Sequence, residues 1–345
     1  MVKLVHLLHK ISENSAYQAL LEGSLPAAAK QKSSHHAVMM GYDFHLTESG
    51  PKLIEVNTNA GGAWFAHLCA YPLANHFAGR AGSRLLNTFL TDYALFKQMA
   101  DARPECIVIV DADPETQFLY PEMQIFAALF RQAGIKAMIA DPQKLRVKNS
   151  VLHLDDQRID MIYNRHCDFY LQTPEMQTIK NAWMDAQVCL SPNPRSYGLL
   201  ADKRRMVFWS DRMQLNKLGL NGHELELLGK TIPQTLPLES LTLEDAWRTR
   251  KQWVFKPNNG FASRGVYVGS KLTTAKLAGL DPHNTLIQQW FPPSISKYND
   301  GLPFKTDFRL FAYRKQIIGV SARLYQGQVT NMRTPNGGFA KVMMV

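Results

Sequence analysis

The chain has 345 residues, 46% of them hydrophobic, and a formal net charge of +10 at pH 7. A chain of this size and apolar content buries a substantial core, which excludes dominant disorder and predicts two or three domains. The positive charge favours anionic partners such as nucleotide phosphates or acidic metabolites. The basic residues are dispersed and cluster only at 203–205, so binding to nucleic acid is not expected.

The cysteines and the apolar segments bear on the cellular compartment. The four cysteines are far apart and show no paired ligand spacing, so neither a zinc site nor a disulfide framework is predicted, and reduced, buried thiols are expected. The first ten residues are too short and too interrupted for a secretory signal, and no run of about 20 apolar residues follows. We therefore expect a cytoplasmic protein that does not span a membrane.

Residues 41–62 predict a β-hairpin whose two faces differ in chemistry. With the turn centred on Ser49, Asp43 lies opposite Glu55, because side chains alternate along a strand. Opposed carboxylates repel each other unless a cation lies between them, and two carboxylates with an amide oxygen suit Mg²⁺. The reactive face is predicted to hold Asp43, His45, Glu55 and Asn57. The apolar face is predicted to hold Tyr42, Phe44, Leu46, Ile54 and Val56.

The next part of the chain predicts packed α/β structure. Apolar residues at helical spacing indicate an amphipathic helix over about 81–99. Residues 106–111, 121–133 and 136–141 then read as a βαβ unit whose helix ends at Gly134. A further strand over 161–165 ends at Asn164 and Arg165, the kind of strand end at which parallel sheets bind ligands. A structural role is the simpler interpretation of this pair.

A Pro-containing connector at 190–194 predicts a domain boundary near residue 190. After it, Asp202 is expected to cap a helix that runs to about Leu218. A strand over 253–257 carries Lys256 and is followed by a Gly/Ser loop at 258–265, an order that suits a cover over phosphates. Taken alone, Lys256 is more readily a lysine that reaches water from a strand end. Beside this loop, however, its ammonium group can bind nucleotide phosphates.

Two further strand segments complete the pattern. Residues 286–291 read as a hinge strand whose backbone can hydrogen-bond an adenine edge, with ordinary core packing as the alternative. Residues 306–325 predict a hairpin centred on Lys315, which aligns Asp307 with Arg323 and Arg309 with Ser321. Guanidinium groups on that face can bind a transferring phosphoryl group or an oxyanion. The alternative is an Asp307–Arg323 pair on a solvated face. The reverse face is predicted to hold Phe308, Leu310, Ala312, Ile318, Val320, Ala322 and Leu324.

Together these segments resemble the ATP-grasp superfamily over nearly the whole chain. The resemblance implies that ATP phosphates contact Lys203 and Lys256, and that Mg²⁺ or Mn²⁺ binds Asp43, Glu55 and Asn57. It implies further nucleotide contacts at Asn258, Gly260, Ser263, Gln288, Gln289, Trp290 and Phe291. Arg309 and Arg323 are the implied catalytic residues. Substrate contacts are expected at Asn331, Arg333, Gly337 and Gly338, and at Arg165.

In this superfamily, the hairpin that carries the metal ligands normally follows the strands that carry the two catalytic arginines. Here that acidic hairpin, residues 41–62, precedes the arginine strands of residues 306–325. The sequence therefore resembles eukaryotic-type glutathione synthetases and a bacterial group of permuted ATP-grasp proteins. The implied fold is α/β and α+β: a circularly permuted ATP-grasp fold with a Rossmann-like preceding domain. Residues 1–100 would form the permuted end of the C-terminal lobe, 101–190 the Rossmann-like domain, 191–295 the nucleotide-binding lobe, and 296–345 the first part of the C-terminal lobe.

The activity implied by the resemblance is ADP-forming ligation of a small carboxylate to an amine, such as an amino acid or peptide, through an acyl phosphate. No enzyme nucleophile is required. A kinase that stops at phosphoryl transfer and a non-catalytic nucleotide-binding scaffold are the alternatives. His35, His36 and His45 are candidate bases, but only His45 lies on the reactive face, and a local structural role is expected for it. The identity of the substrates and the oligomeric state are not predicted.

Overall fold

The computed structural model describes residues 1–71, 79–258, 265–297, 301–331 and 334–342. The helices are α1 (Val2–Glu13), α2 (Ser15–Glu22), α3 (Ala27–Lys30), α4 (Ala63–Ala70), α5 (Arg80–Lys97), α6 (Tyr120–Gln132), α7 (Gln177–Met184), α8 (Pro194–Ser196), α9 (Arg204–Ser210), α10 (Arg212–Asn216), α11 (Gly222–Thr231), α12 (Leu243–Thr249) and α13 (Thr274–Ala278). The strands are β1 (Met40–Thr47), β2 (Gly50–Asn57), β3 (Cys106–Val110), β4 (Lys136–Ala140), β5 (Leu145–Lys148), β6 (Val151–Leu154), β7 (Gln157–Arg158), β8 (Met161–Asn164), β9 (Cys189–Ser191), β10 (Thr235–Pro237), β11 (Trp253–Pro257), β12 (Tyr267–Val268), β13 (Thr285–Gln289), β14 (Ser294–Lys297), β15 (Pro303–Tyr313), β16 (Gln316–Tyr325) and β17 (Gly338–Ala340).

These strands form four sheets. A six-stranded antiparallel sheet has the order β17-β16-β15-β1-β2, with β14 also paired to β15. A four-stranded antiparallel sheet has the order β10-β13-β11-β12, and a parallel sheet has the order β4-β3-β8-β9. A small sheet joins β5, β6 and β7. The six-stranded sheet therefore combines the predicted N-terminal hairpin with the predicted C-terminal one.

The βαβ unit forms as predicted. Strand β3 lies parallel to β4 and to β8, and all five of its residues are buried. Both faces of a parallel strand are covered, which explains the continuous apolar run. The connecting helix α6 is followed by Gly134 at φ +78°, a left-handed conformation that glycine adopts without strain. The predicted amphipathic helix is also present, as α5.

The helix predicted from Asp202 to Leu218 is not continuous. It is divided into α9 and α10 at Asp211, whose carboxylate accepts hydrogen bonds from the N–H groups of Met213 at 2.8 Å and Gln214 at 3.3 Å. Aspartate competes with the helix backbone in this way and therefore favours a new N-terminus over a helix interior. The backbone N–H of Arg204 donates to Asp202, so Asp202 does bind the start of α9.

The N-terminal hairpin contains a β-bulge that corrects the predicted faces. Thr47 pairs with Gly50 across a two-residue turn, yet Asp43 still pairs with Glu55, because Ile54 is an extra residue without a partner in β1. Leu53, and not Ile54, is therefore fully buried on the apolar face beside Phe44. The outer positions Leu46 and Val320 were also expected to pack, but they are 36% and 39% exposed.

The remaining general expectations have mixed outcomes. Cys106 and Cys189 are buried, but Cys69 is exposed and Cys167 is half-buried, so only part of the cysteine prediction is correct; none of these four cysteines forms a disulfide. Within the described ranges, no helix has the length and apolar character needed to cross a bilayer.

Candidate nucleotide and metal site

Charged residues from both ends of the chain meet on the six-stranded sheet. Asp43 of β1 pairs with Glu55 of β2 on one side and with Arg309 of β15 on the other. Asp307 pairs with Arg323, and Arg309 with Ser321, as predicted for the second hairpin. The reactive faces of the two hairpins are therefore continuous. Nearer the turn, a bulge between Phe311 and Ala312 shifts the register, so Ile318, which was predicted on the reverse face, packs with the cluster that contains Phe311 instead.

Asp43 is the centre of this charged group. Arg309 donates to both of its oxygens, Nε to Oδ1 and Nη2 to Oδ2, each at 2.6 Å, and Nη2 of Arg323 lies 2.9 Å from Oδ2. The residue is 1% exposed. Burial alone would raise the pKa of Asp43, but the two guanidinium groups outweigh it and hold the pKa well below its usual range. The cations that offset the opposed carboxylates in this structure are therefore arginines.

The Asp307–Arg323 pair exists, but its face is not solvated. Arg323 binds Asp307 through Nε at 2.6 Å and through Nη2 at 3.0 Å, and the hydroxyl of Thr330 donates to the same carboxylate at 2.6 Å. Asp307 is 2% exposed and Arg323 is 6% exposed. No motif in the sequence pointed to Thr330, which ties the loop after β16 to the charged face.

Glu55 and Asn57 are the predicted metal ligands that fit a cation best. Nδ2 of Asn57 donates to Glu55 at 3.2 Å and to Asp43 at 3.3 Å, so the three groups are adjacent. Both oxygens of Asp43 are already bonded to guanidinium groups. A carboxylate and an amide oxygen are hard donors that suit Mg²⁺ or Mn²⁺. Asn57 would present its oxygen after its amide group turned over.

Lys256 bridges the two antiparallel sheets. Its Nζ donates to the carbonyl of the bulged Ile54 at 3.0 Å and to the side chain of Gln288 at 2.6 Å. The side chain is buried, so it does not reach out to water as the structural alternative required. Burial chiefly lowers the pKa of Lys256 to about 8; nearby Lys203 lowers it further, whereas Glu55 raises it. Lys203 itself is half-buried and lines a cavity with Lys256 and Glu55.

An open cavity, whose volume of about 620 Å³ includes space continuous with solvent, lies between the six-stranded and the four-stranded sheets. The four-stranded side contributes apolar walls: Val254, Val266, Val268, Trp290 and Phe291. The six-stranded side contributes charge: Asp43, Glu55, Asp307 and Arg323. A second space of about 340 Å³ shares Glu55, Lys256 and Gln288 with the first and adds Lys203. Apolar walls with a few convergent charged groups are typical of ligand sites.

The predicted hinge lies along this cavity. The N–H of Gln289 donates to the carbonyl of Gln234 at 2.8 Å, and that of Trp290 to Gln252 at 2.7 Å. The N–H groups of Gln289 and Trp290 are therefore used within the four-stranded sheet and its neighbours. The carbonyl of Phe291 accepts a hydrogen bond from Nδ1 of His45 at 2.7 Å. Burial lowers the pKa of His45, which favours the neutral ring.

The other predicted contacts are mostly used for packing. Asn258 is bonded through its N–H to Asn284 and through its amide to His283. The carbonyl of Asn331 accepts from Thr334. Gly337 and Gly338 lie against β16, where a Cβ on Gly337 would come within 2.5 Å of a backbone oxygen. Gly260, Ser263 and Arg333 lie outside the described residues.

Arg165 is hydrogen-bonded to the turn that follows the acidic hairpin. Its Nη1 donates to the carbonyl of Asn59 at 2.6 Å, and the amide of Asn59 returns a bond to the Arg165 carbonyl at 3.2 Å. Glu122, which the sequence did not indicate, accepts from the N–H groups of Gly62 at 2.8 Å and Trp64 at 3.0 Å. The parallel sheet and α6 thus support the turn that follows Asn57.

A separate buried group contains His35, Asp92 and Cys189, whose ligand-type atoms lie within 4.8 Å of one another. Both ring nitrogens of His35 are within 2.9 Å of protein oxygens, Ser33 Oγ and the Leu190 carbonyl. Both ring nitrogens are therefore used within the protein, and the group does not offer an imidazole ligand to a metal ion.

The sequence matches no protein-family model and no curated protein. Solved structures do resemble it. A glutathione synthetase-like effector from Globodera pallida, without ligand, aligns with a TM-score of 0.58 and 14% identity over 98% of this chain and 84% of that one. A candidate gamma-glutamylcysteine synthetase from Methylobacillus flagellatus aligns with a TM-score of 0.56 and 10% identity over 96% and 84%. The fold is of the ATP-grasp type, as the sequence predicted.

Proposed function

We propose that the protein is an ATP-dependent, ADP-forming ligase that joins a carboxylate to an amine. The observation that supports this best is the pair of adjoining spaces between the two antiparallel sheets: Glu55 and Lys256 line both of them, and Lys203 lines the smaller one. Two cations, an acidic metal ligand and an apolar slot match the phosphates, the metal and the base of a nucleotide. The circular permutation is part of this proposal, since the N-terminal hairpin completes the sheet of the C-terminal one.

The reaction has two steps. An oxygen of the substrate carboxylate attacks the γ-phosphorus of ATP, the bond to ADP breaks, and an acyl phosphate forms. The amine then attacks the acyl carbon, phosphate leaves, and the nitrogen loses a proton to give the amide. Lys203 and Lys256 offset the phosphate charge in the first step. Arg323 and Arg309 stabilise the oxyanion of the second, because fixed donors in a buried site need little reorganisation.

Asp43 holds the two arginines in place for this task. Its carboxylate fixes both guanidinium planes through bonds of 2.6 to 2.9 Å, and such geometry is more specific than a point charge. Glu55 and Asn57 would hold a divalent cation, with Asp43 beside them. When bound, that cation would neutralise phosphate charge and act as a Lewis acid.

The proposal is tested by measuring ADP release with paired carboxylates and amines drawn from amino acids, short peptides and polyamines. Glu55→Ala should abolish turnover, whereas Glu48→Ala, at the exposed turn of the same hairpin, should leave it unchanged. ADP release by Glu55→Ala at the wild-type rate would contradict the site. A stable phosphorylated product formed without an amine indicates a kinase. Nucleotide binding that yields no ADP with any substrate pair indicates a scaffold.

A further inference from the structure

His45 lies between the two ends of the proposed nucleotide site. It is two residues from Asp43 on the same face of β1, and it is 5% exposed. Its Nδ1 is bonded to the carbonyl of Phe291 at 2.7 Å, and its ring meets that of Trp290 edge to face at 6.2 Å between centroids. The ring therefore connects the charged sheet to the predicted hinge, and two contacts fix its orientation.

The hydrogen bond to Phe291 also fixes the tautomer. A carbonyl oxygen can only accept, so Nδ1 carries the proton and Nε2 of the neutral ring keeps its lone pair. His45 is among the residues that line the cavity. With Nδ1 bonded to Phe291, Nε2 is the ring nitrogen left to accept a hydrogen bond from a ligand in the cavity.

Among the described residues that line the cavity, none on the hinge side is acidic; the polar side chains there are Lys256, Gln288 and Gln289. The acidic residues that line it, Asp43, Glu55 and Asp307, all belong to the six-stranded sheet, and two of them are bonded to arginines. The hinge sequence from Trp290 to Lys297 contains no aspartate or glutamate. A nucleotide with its base at the hinge and its phosphates at the lysines places its sugar between them, beside His45.

We infer that Nε2 of His45 accepts a hydrogen bond from a ribose hydroxyl, so that the site selects ribonucleotides over deoxyribonucleotides. This inference rests on the proposed function, because it requires the cavity to bind ATP. A hydroxyl lost from the ligand leaves the buried acceptor without its donor, which weakens binding by roughly three- to tenfold.

The test is calorimetric titration of the full-length protein with ATP, 2′-deoxy-ATP and 3′-deoxy-ATP in the presence of Mg²⁺. The wild type should bind at least one deoxynucleotide roughly three- to tenfold more weakly than ATP. Equal affinity for all three would overturn the inference and leave the proposed function standing. Failure of the wild type to bind ATP at all would overturn the proposed function, and this inference with it.

Variants then assign the effect to the ring. His45→Phe fills the same space without an acceptor, so it should bind ATP and the deoxynucleotide equally, and His45→Gln, whose amide oxygen can replace Nε2, should restore part of the preference. Lys52→Met is the matched control, since Lys52 pairs with His45 in β2 and lies 4.8 Å over the Phe291 ring; it should keep the preference. A preference that persists in His45→Phe overturns the inference. If that variant does not fold, His45→Gln carries the assignment to the ring, and equal affinity of the wild type for all three nucleotides still overturns the inference.

Discussion

Replacing Asp43 by asparagine separates the two roles that this residue could have. As a metal ligand, it would matter for nucleotide binding and little for stability. As the anchor of two buried guanidinium groups, it would matter for the fold itself. The structure favours the anchor, because Arg309 and Arg323 together use both carboxylate oxygens.

The expected cost follows from the partners that remain after the substitution. Arg323 keeps its two bonds to Asp307, so Arg309 is the group left without a counter-charge, with one remaining bond of 3.1 Å to the Gly61 carbonyl. Removing one partner of a buried ion pair costs about 3–5 kcal/mol. Asparagine retains one acceptor oxygen, so we expect the lower end, about 3 kcal/mol. With an unfolding entropy of about 2.1 cal/mol/K per residue over 345 residues, this lowers the Tm by about 4 °C.

The assay is differential scanning calorimetry of Asp43→Asn and Glu55→Gln side by side. Glu55 is half-buried, with an amide neighbour at 3.2 Å, so its variant should lose less than about 1 kcal/mol of stability while losing Mg²⁺-dependent nucleotide binding. If Asp43→Asn melts like the wild type and loses only nucleotide binding, then Asp43 is simply another ligand and the anchoring argument is wrong.

The Tm difference between the wild type and Asp43→Asn should also depend on pH. The pKa of Asp43 in the folded protein lies below its unfolded value, so its contribution to stability is complete above the unfolded pKa of about 3.9 and declines as the pH falls below it. The Tm difference between wild type and Asp43→Asn should therefore be constant near neutrality and shrink in acid. A difference that grows towards low pH would have the wrong sign.

Three further predictions concern the cavity. Lys256→Met should weaken ATP binding by about tenfold or more. The ATP affinity of the wild type should fall as the pH rises past about 8, where the Lys256 ammonium loses its proton. The ATP affinity of the variant should not change over that pH range. Arg309→Lys cannot reproduce the two-point bond to its carboxylate, so kcat should fall by about a hundredfold; an unchanged kcat removes Arg309 from the reaction. Gly41→Ala places a Cβ 2.5 Å from that of Ala60 and 3.2 Å from Arg309 Nε, so turnover should drop, whereas Gly229→Ala, with open space in helix α11, should stabilise the protein by about 1 kcal/mol. Equal behaviour of the two alanine variants would show that the close approach has no consequence.

Local sequence patterns were sufficient to predict a strand where its hydrophobic pattern was regular. The buried run at 106–110 and the alternation at 306–313 predicted their strands, and the pairing of Asp307 with Arg323 followed from the hairpin alone. The ATP-grasp fold could be recognised because its charged residues occur in such regular strands. These predictions needed only contacts between residues close in the chain.

The sequence could not supply contacts that depend on one extra residue or on distant segments. The bulge at Ile54 shifts the apolar face by one position and turns a carbonyl towards Lys256, and no propensity distinguishes it from a regular strand. The bond between His45 and Phe291 joins residues 246 positions apart. The sequence also did not predict that the helix is interrupted at Asp211. An unbroken helix and a new helix capped by this aspartate differ by only about 1 kcal/mol.

The cost of the buried charges is itself an argument for a binding site. Asp43, Asp307, Arg309 and Arg323 are each at most 9% exposed, and removing such groups from water costs several kcal/mol per ion. Apolar residues of similar size would stabilise the same sheet at least as well, so stability alone does not explain a network of this kind. The network borders a cavity that also contains Glu55 and a lysine whose pKa is lowered to about 8, and perturbed ionisable groups in a cleft are characteristic of functional sites.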